Sequence, residues 1–257
     1  MSLPANRLRT SLRRPWVARI GVIIALFGVW EVAARWWVDP MFFSPPSQVF
    51  ASLGALFDTR GVPAALRLTF WELGVAFVLS VGIGLLIGLP LGLAPFARRS
   101  FMPIVLLLYG TPQVTILPLF VLYFGIGPAS KIAFGVSHGF FPLIIAVVAG
   151  VENIKQFFLM CARSMGASRL QVLRHFVFPH MIPSFFSGMR IGFTVALLSI
   201  IGSETIASLA GLGHRIVHLA EAMEMTRMFA YIVFVVAIAA TLNALVSALE
   251  ARVRSAR

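Results

Sequence analysis

Residues 153–183, NIKQFFLMCARSMGASRLQVLRHFVFPHMIP, decide the fold because they form the one long polar interruption in an otherwise apolar chain. Two short helices joined at Gly166 are predicted here. Asn153 is expected to cap the first helix, with Gln156 reaching back to the cap, and Gly166 is expected to end it. This helix carries a single apolar stripe at helical spacing, which consists of Ile154, Phe157, Phe158, Cys161 and Met165.

The second helix is predicted to begin at Ser168, the first residue of a second capping box, Ser168 to Gln171. Pro179 and Pro183 are expected to end the second helix, because proline removes a backbone donor and disrupts the preceding turn. The apolar face of this helix lies opposite two basic residues; the apolar residues are Leu170, Leu173 and Val177, and the basic ones Arg169 and Arg174. A basic helix-turn-helix between apolar segments is suited to lie at a membrane face and present one side to another molecule.

The composition of the whole chain indicates a polytopic membrane protein. Its 257 residues are 59% hydrophobic, with a mean hydropathy of +0.93, whereas soluble domains are nearer ~45–50% apolar. The net charge of +12 does not indicate nucleic-acid binding, because long apolar runs separate the basic residues and no continuous basic patch forms. Cys161 is the single cysteine, so neither a disulfide nor a cysteine metal cluster within one chain is predicted.

Six segments are long and apolar enough to cross a bilayer, which takes ~20 residues: 17–37, 69–94, 101–124, 130–150, 184–207 and 228–249. The first is too long for a cleaved signal peptide and lacks a cleavage site, so it is expected to remain as an anchor. The connection 38–68 contains a predicted surface helix at 48–57. We expect one transmembrane domain, 1–257, with tails at 1–16 and 250–257 and the insert at 153–183.

The distribution of basic residues predicts the orientation of the chain. If the N-terminus is cytoplasmic, fifteen of the 21 Lys and Arg residues lie in cytoplasmic segments, as the positive-inside rule expects. Both termini and the insert are therefore predicted to be cytoplasmic.

Two of the predicted spans contain helix breakers. The second span has small residues that permit close helix approach, namely Gly82, Gly84, Gly88 and Gly92, together with Pro90. The third is interrupted at Gly110–Pro112 and again at Pro118. Carbonyls freed there must find donors on Thr111, Gln113, Thr115, neighbouring helices or water. A broken helix lining a pathway and ordinary kinked packing are both consistent with this pattern.

The run from Gly135 to Gly139, GVSHG, has the letters of a nucleophile elbow, with Ser137 at its centre. Because that motif acts at a strand-to-helix turn and this run lies inside an apolar helix, its context fails. Close packing of small residues is preferred, with His138 as a polar group in a helix interface. No phosphate-binding loop and no set of metal ligands is recognised, so any ATPase must be another chain.

Two acidic residues lie near the predicted outer membrane face. Glu204 must face protein or water, because a charge exposed to lipid is costly. It either lines a path or gate, or is an interfacial carboxylate bound to Ser203, Thr205 or a backbone amide. Glu72 is predicted to be interfacial.

The insert resembles the signature of membrane subunits of binding-protein-dependent ABC importers, E-A-A-x-x-x-G followed by I-x-L-P. The matching runs are 160–166, MCARSMG, and 176–179, FVFP. Ala162, Gly166 and Pro179 keep the spacing, whereas Met160 replaces the signature glutamate.

The resemblance extends over residues 26–250 to the subfamily serving nitrate, sulfonates, taurine and thiamine-pyrimidine precursors. It is carried by VWEVAAR (29–35), FFSPPSQVF (42–50), GIGLLIGLPLGL (82–93), TPQVTILPLFVLYFGIG (111–127), ARSMGASRLQVLRHFVFP (162–179), SGMRIGFTVALLSIIGSE (187–204) and AGLGHRI (210–216). It implies an all-α permease in the bacterial inner membrane, in contact with lipid and working with a second copy of itself, a cytoplasmic ABC ATPase dimer and an external solute-binding protein. It implies no cofactor in this chain, since ATP and Mg²⁺ belong to the ATPase.

The resemblance also assigns roles to residues. The insert becomes the element that docks on the ATPase, through Phe157, Phe158, Ala162, Arg163, Ser164, Met165, Gly166, Ala167, Ser168 and Arg169. The candidate path residues are Thr111, Gln113, Thr115, Ser199, Ser203 and Glu204. No catalytic or metal-binding residue is expected. A self-sufficient secondary transporter or channel is the alternative function.

Overall fold

The structure is a computed structural model that describes residues 15–39, 41–58, 61–154 and 156–255. The predicted N-terminal tail, 1–16, lies almost entirely outside the described residues. The helices are α1 (Pro15–Trp36), α2 (Pro46–Asp58), α3 (Val62–Leu93), α4 (Pro95–Gly110), a 3₁₀ turn (Gln113–Ile116), α5 (Leu117–Phe124), α6 (Pro128–Glu152), α7 (Gln156–Ser164), α8 (Arg169–Val172), a π-helical turn (Leu173–Val177), α9 (Phe178–Ile206), α10 (Leu212–Glu221) and α11 (Met225–Ser255). No strand occurs among the described residues, which confirms the predicted all-α class.

Within the described part of the chain, five helical segments are long and apolar enough to cross a membrane: Val17–Trp36, Val62–Leu93, Pro128–Glu152, Arg169–Ile206 and Met225–Arg252. The third predicted span is not one straight helix. It forms Pro95–Gly110 and Gln113–Phe124, which are bent by 83° at the Thr111–Pro112 break. The predicted count of six depends on whether this bent pair forms one span, and it stays a prediction.

Contacts divide the chain into two compact units. The first comprises residues 1–60 and 216–234. Within it, Glu31 of α1 binds the start of α2, because its Oε2 accepts from the Ser47 amide at 3.0 Å and its Oε1 from Ser47 Oγ at 2.8 Å. Arg35 pairs with the same carboxylate at 2.6 Å. A carboxylate at a helix N-terminus satisfies free amides, so these contacts join two of the sequence blocks that carry the resemblance, 29–35 and 42–50.

The second unit, residues 61–215 and 235–257, has a core of α3, α6 and α9. A stripe of glycines on α3 faces α6: a Cβ on Gly84 would lie 2.5 Å from Leu143 Cβ, and one on Gly88 or Gly92 would lie 2.9 Å from the Cβ of Val147 or Val151. Real side chains do not tolerate such distances. The prediction that this glycine run allows close helix approach is therefore confirmed for Gly84, Gly88 and Gly92.

The same core continues to the insert. Val147 and Val151 of α6 form a buried cluster with Ile154, Val177 and Met181. The C-terminal helix α11 runs on through residue 255, and its Glu250 is only 5% exposed. Ser187 of α9 donates to Glu250 at 2.6 Å, so the predicted tail 250–257 begins inside a helix. The division into two units leaves the single transmembrane domain a prediction.

Candidate functional site

The first half of the insert differs from its predicted form. Asn153 adopts helical geometry at the C-terminal end of α6, where its amide donates to Ala149, so the expectation that it caps α7 is wrong. Ile154 is 5% exposed and joins the core cluster rather than an outward stripe. The reason is that α6 extends further than the change in composition suggests, and it carries Ile154 into contact with α9.

The turn in the middle of the insert has the predicted chemistry. Gly166 has φ +79°, a left-handed conformation suited to glycine. The Ala167 amide donates to the Ala162 carbonyl at 3.0 Å, which is the longer bond of a Schellman motif. Ser168 and Gln171 form the reciprocal capping box, with the Ser168 amide 2.7 Å from Gln171 Oε1. The helix end at Gly166 and the restart at Ser168 are confirmed.

The second predicted helix does not end at Pro179 or Pro183. It continues through the π-helical turn Leu173–Val177 into α9, so that residues 169–206 form one long segment. In the wider turn the Phe178 amide donates back to the Leu173 carbonyl. This shift in hydrogen-bond register lets Pro179 enter without breaking the helix, and Pro183 is accommodated inside a membrane helix.

The residues expected to dock on the ATPase differ in exposure. Around the Gly166 turn, Phe157 is 64% exposed and Met165 is 86% exposed, and Ser164, Gly166, Ser168 and Arg169 are also exposed. Ala167 is half-buried, while Ala162 is buried at 4%. The side chains of Phe158 and Arg163 lie outside the described part of the chain. The turn therefore presents large apolar side chains outward.

Met160, at the position of the signature glutamate, is 60% exposed. It lines a cavity of about 580 Å³ together with Arg98 and Glu152. Arg98 pairs with Glu152 at 3.4 Å. An acidic group is thus present beside this surface, although it comes from the end of α6 and not from α7.

The polar residues at the break between α4 and α5 satisfy the freed backbone. The Leu108 carbonyl accepts from Thr111 Oγ1 at 2.7 Å and from Gln113 Nε2 at 3.3 Å. The Pro112 carbonyl accepts from Thr115 Oγ1 at 2.7 Å. The expectation that these three side chains satisfy the broken helix is confirmed.

The six candidate path residues fall into two groups. Thr111 and Thr115 are exposed, whereas Gln113, Ser199, Ser203 and Glu204 are buried. Ser199 and Ser203 donate to carbonyls of their own helix, Val195 and Ile200, at 2.8 Å each. The geometry brings Thr111 and Thr115 together at the break and leaves the other candidates inside the subunit.

The GVSHG run lies within α6. Ser137 Oγ donates to the Phe134 carbonyl at 2.7 Å, and His138 Nδ1 lies 3.1 Å from the same oxygen. Both side chains are thus bonded to their own helix. A Cβ on Gly139 would lie 2.6 Å from Ser80 Oγ of α3, so the run serves close helix packing, as preferred from its context.

Glu72 lies inside the subunit, and its predicted position at the membrane interface stays a prediction. It is fully buried and pairs with Lys131 of α6, with Oε1 and Nζ 2.6 Å apart. Lys131 is only 2% exposed. A buried carboxylate needs a partner, but the sequence does not reveal which basic residue supplies it. Among the described residues, no group of three or more His, Cys, Asp or Glu is placed to hold a metal ion.

Comparison with known proteins identifies the class. Residues 80–255, more than half of the chain, match the family described as binding-protein-dependent transport system inner membrane component. The chain belongs to this family, which confirms the resemblance. It is a multi-pass inner-membrane permease subunit of an ABC importer, a non-catalytic component that works with a separate ATPase and a binding protein.

Two curated relatives are named after the solutes of their transport systems. The taurine transport system permease protein TauC of Escherichia coli (strain K12) is 34% identical over 214 residues, covering 80% of this chain and 77% of its own. The formylaminopyrimidine transport permease protein ThiX of Halalkalibacterium halodurans is 27% identical over 195 residues, covering 74% and 76%.

Solved structures support the fold. A crystal structure of a bacterial ABC transporter involved in the import of the acidic polysaccharide alginate matches with a TM-score of 0.67 at 15% identity, covering 96% of this chain and 99% of that one. An inward-facing MetNI methionine ABC transporter matches with a TM-score of 0.58 at 19% identity, covering 71% and 93%.

Proposed function

We propose that two copies of this chain form the membrane path for a small sulfonate of the taurine type, and that a cytoplasmic ABC ATPase dimer drives it. The choice of solute is supported by the 34% identity to the taurine permease over most of both chains. An external binding protein delivers the solute. The permease itself contributes the path and the mechanical link to the ATPase.

The observation that carries the proposal is the outward apolar surface at the Gly166 turn. Phe157 and Met165 expose 64% and 86% of their surface, and exposed Arg169 follows the turn. Large apolar side chains on α7 and on the turn that follows it, beside a basic residue, are costly in water and favourable in a groove of a partner. The groove belongs to the ATPase, and its closure on ATP moves the turn.

The link from this turn to the spans is continuous. Residues 169–206 form one helical segment without an intervening loop. Ile154, on the other side of α7, is buried against Val177 and Met181 of the same segment. Force applied at the insert is therefore transmitted directly into α6 and α9, which makes the insert a lever.

The second copy covers the bent pair of helices. Helix α4 has no buried residue within the subunit, and Leu107 and Leu122 are 70% and 76% exposed. We assign this surface to contact between the two copies, with lipid on the remaining outward surfaces. Thr111 and Thr115, exposed at the break, then face the path between the copies.

The insert and both termini face the cytoplasm in this proposal. Lys and Arg are concentrated in the segments assigned to that side, and docking on a cytoplasmic ATPase requires the same orientation. The ends of α3, α6 and α9 away from the insert then face the binding protein.

Transport by reconstituted protein tests the proposal. Proteoliposomes containing this chain, its cognate ATPase and binding protein are expected to take up taurine only with ATP. A matched preparation with an ATPase that binds but does not hydrolyse ATP is expected to take up none. ATP-independent uptake by this chain alone would establish the secondary transporter instead.

The solute is tested separately. A strain lacking this gene is expected to lose growth on taurine or alkanesulfonates as sole sulfur source and to keep growth on sulfate. Normal growth on sulfonates together with a new requirement for a thiamine precursor would show that the solute is a thiamine precursor and not a sulfonate. The assignment to the ABC importers would then still hold.

A further inference from the structure

A buried polar cluster lies away from the insert, where α3 and α6 begin and α9 ends. Thr69 and Glu72 come from α3, Lys131 from α6 and Glu204 from α9, and each is at most 2% exposed. The insert lies at the other end, where Gly92 packs on Val151. Four polar side chains buried together in an apolar bundle are costly unless every one has a partner.

Glu204 finds its partners on α3 and in the first turn of α10. Thr69 Oγ1 donates to Glu204 Oε1 at 2.6 Å, and the Gly213 amide donates to Oε2 at 2.8 Å. The Leu212 amide donates to Thr69 Oγ1 at 3.1 Å. The carboxylate thus binds the first turn of α10 both directly and through Thr69, where the amides of a helix start are free.

The backbone passes so close to this carboxylate that only glycine fits. A Cβ on Gly211 would collide with the Glu204 carboxylate, and one on Gly213 would lie 2.7 Å from Glu204 Cβ. Gly211 also has φ +114°, a conformation that other residues rarely adopt. The AGLG letters in this connection are therefore explained by the position of Glu204.

A second tether holds the other end of the same connection. Lys131 Nζ, paired with Glu72, also donates to Ser208 Oγ at 3.1 Å. Ser208 Oγ donates in turn to the Ala210 carbonyl at 2.6 Å. Residues 207–213, which we call the distal segment, are thus fixed to α3, α6 and α9 by two buried charged groups.

We propose that Glu204 is a positioning residue that keeps the distal segment closed on α3 throughout the transport cycle, so that this segment moves with the core and is not a gate. Opening the segment would leave Glu204 without the Gly213 amide and Lys131 without Ser208, inside a region of low dielectric where unpaired charges are strongly disfavoured. The inference rests on the proposed transport function, and it makes the distal segment a rigid part of the face turned away from the insert.

Distance measurement between spin labels tests the inference. In a Cys161→Ser background, labels at Leu209 of the distal segment and Trp71 of α3 occupy positions that are 79% and 54% exposed. Labelled subunits are mixed with an excess of unlabelled ones so that the measured distance lies within one subunit. The distance is expected to be the same in the nucleotide-free and vanadate-trapped complexes. A changed distance would overturn the inference, because the segment would then be a gate.

A label at Leu86 of α3 in each copy, again in the Cys161→Ser background, is the control that the complex goes through its transport cycle, because this 75% exposed position lies outside the surface assigned to the ATPase. The distance between the two Leu86 labels is expected to change between the same two states. If it does not change, the proposed coupling fails, independently of what the distal segment does.

Variants of Glu204 test whether this side chain holds the distal segment on α3. Glu204→Ala is expected to broaden the 71–209 distance distribution and to cause a loss of uptake per ATP hydrolysed, measured per folded transporter. Glu204→Gln retains an oxygen for the Gly213 amide and a donor for Thr69, and is expected to restore a narrow distribution and transport. A narrow distribution and full transport in Glu204→Ala would overturn the role. If that variant fails to assemble, Thr69→Val provides the same comparison, with a narrow distribution again contradicting the role.

Discussion

Replacing Gly166 by leucine tests the insert most sharply, because its effect can be worked out from the backbone. Gly166 has φ +79°, and no atom of the described residues lies within 4 Å of the position that a Cβ would take. The added Cβ therefore meets no described neighbour, and the cost of the substitution is the left-handed backbone conformation of a residue with a side chain, roughly 1–2 kcal/mol.

The backbone penalty is expected to weaken docking on the ATPase. A penalty of about 1–2 kcal/mol lowers the ratio of native to non-native turn by a factor of about 5–30. Apparent affinity for a partner that recognises only the native turn falls with the populated fraction of that turn, and so by at most the same factor. We expect the half-saturating concentration of ATPase to rise by up to that factor in proteoliposomes, with less uptake per ATP hydrolysed.

Gly166→Asn is the matched control, because asparagine adopts the left-handed conformation more readily than leucine. It is expected to retain most of the coupling. Membrane content is expected to be the same for both variants, since the spans are untouched. Normal coupling in the leucine variant, or equal losses in both variants, would refute the argument from backbone conformation.

Three further predictions concern the core of the second unit. Gly88→Leu is expected to destabilise the protein by about 1–3 kcal/mol through overpacking. Gly82→Leu, whose added Cβ would have no atom of the described residues within 4 Å, is expected to leave the thermal midpoint in detergent unchanged; equal shifts would contradict the helix contact. Lys131→Met is expected to lower the free energy of unfolding by about 3–5 kcal/mol, because it leaves a buried carboxylate unpaired. Adding Glu72→Gln is expected to recover most of this stability, and a double variant as unstable as Lys131→Met alone would refute the pairing. Ser137→Ala is expected to transport normally, and loss of activity would reopen a chemical role for this serine.

Local signals in the sequence predicted local structure well. The left-handed glycine at 166 and the capping box at Ser168 each depend on residues at most a few positions apart, so the letters were sufficient. The glycines of α3 likewise predicted a close helix contact. They did not identify α6 as the partner, because nothing in one helix specifies which neighbour its small residues meet.

Predictions failed where tertiary context decides. Pro179 reads as a helix end, but the π-helical turn before it keeps the chain helical. No characteristic pattern of residues predicts such a turn. Asn153 reads as an N-cap, yet it is the C-cap of α6. The pairing of Glu72 with Lys131 joins two helices distant in sequence, and only their packing brings the charges together.

The partners of Glu204 were also only partly predictable from the local sequence. An acidic residue near the membrane face was expected either to line a path or to bind nearby groups. Ser203 and Thr205 donate instead to carbonyls of their own helix, while the partners of Glu204 are Thr69 on α3 and the Gly213 amide. One partner matched the expected class, a backbone amide, and the other came from a helix that the local sequence could not indicate.

Labelling of Cys161 tests the central claim most directly, that the insert faces the cytoplasm and docks on the ATPase. This cysteine is exposed on α7, beside the Gly166 turn, and is the single cysteine of the chain. A membrane-impermeant maleimide is expected to label it in inside-out vesicles stripped of the ATPase, and not in right-side-out vesicles. Adding back the ATPase is expected to protect it. Labelling in right-side-out vesicles, or undiminished labelling with the ATPase bound, would contradict the account.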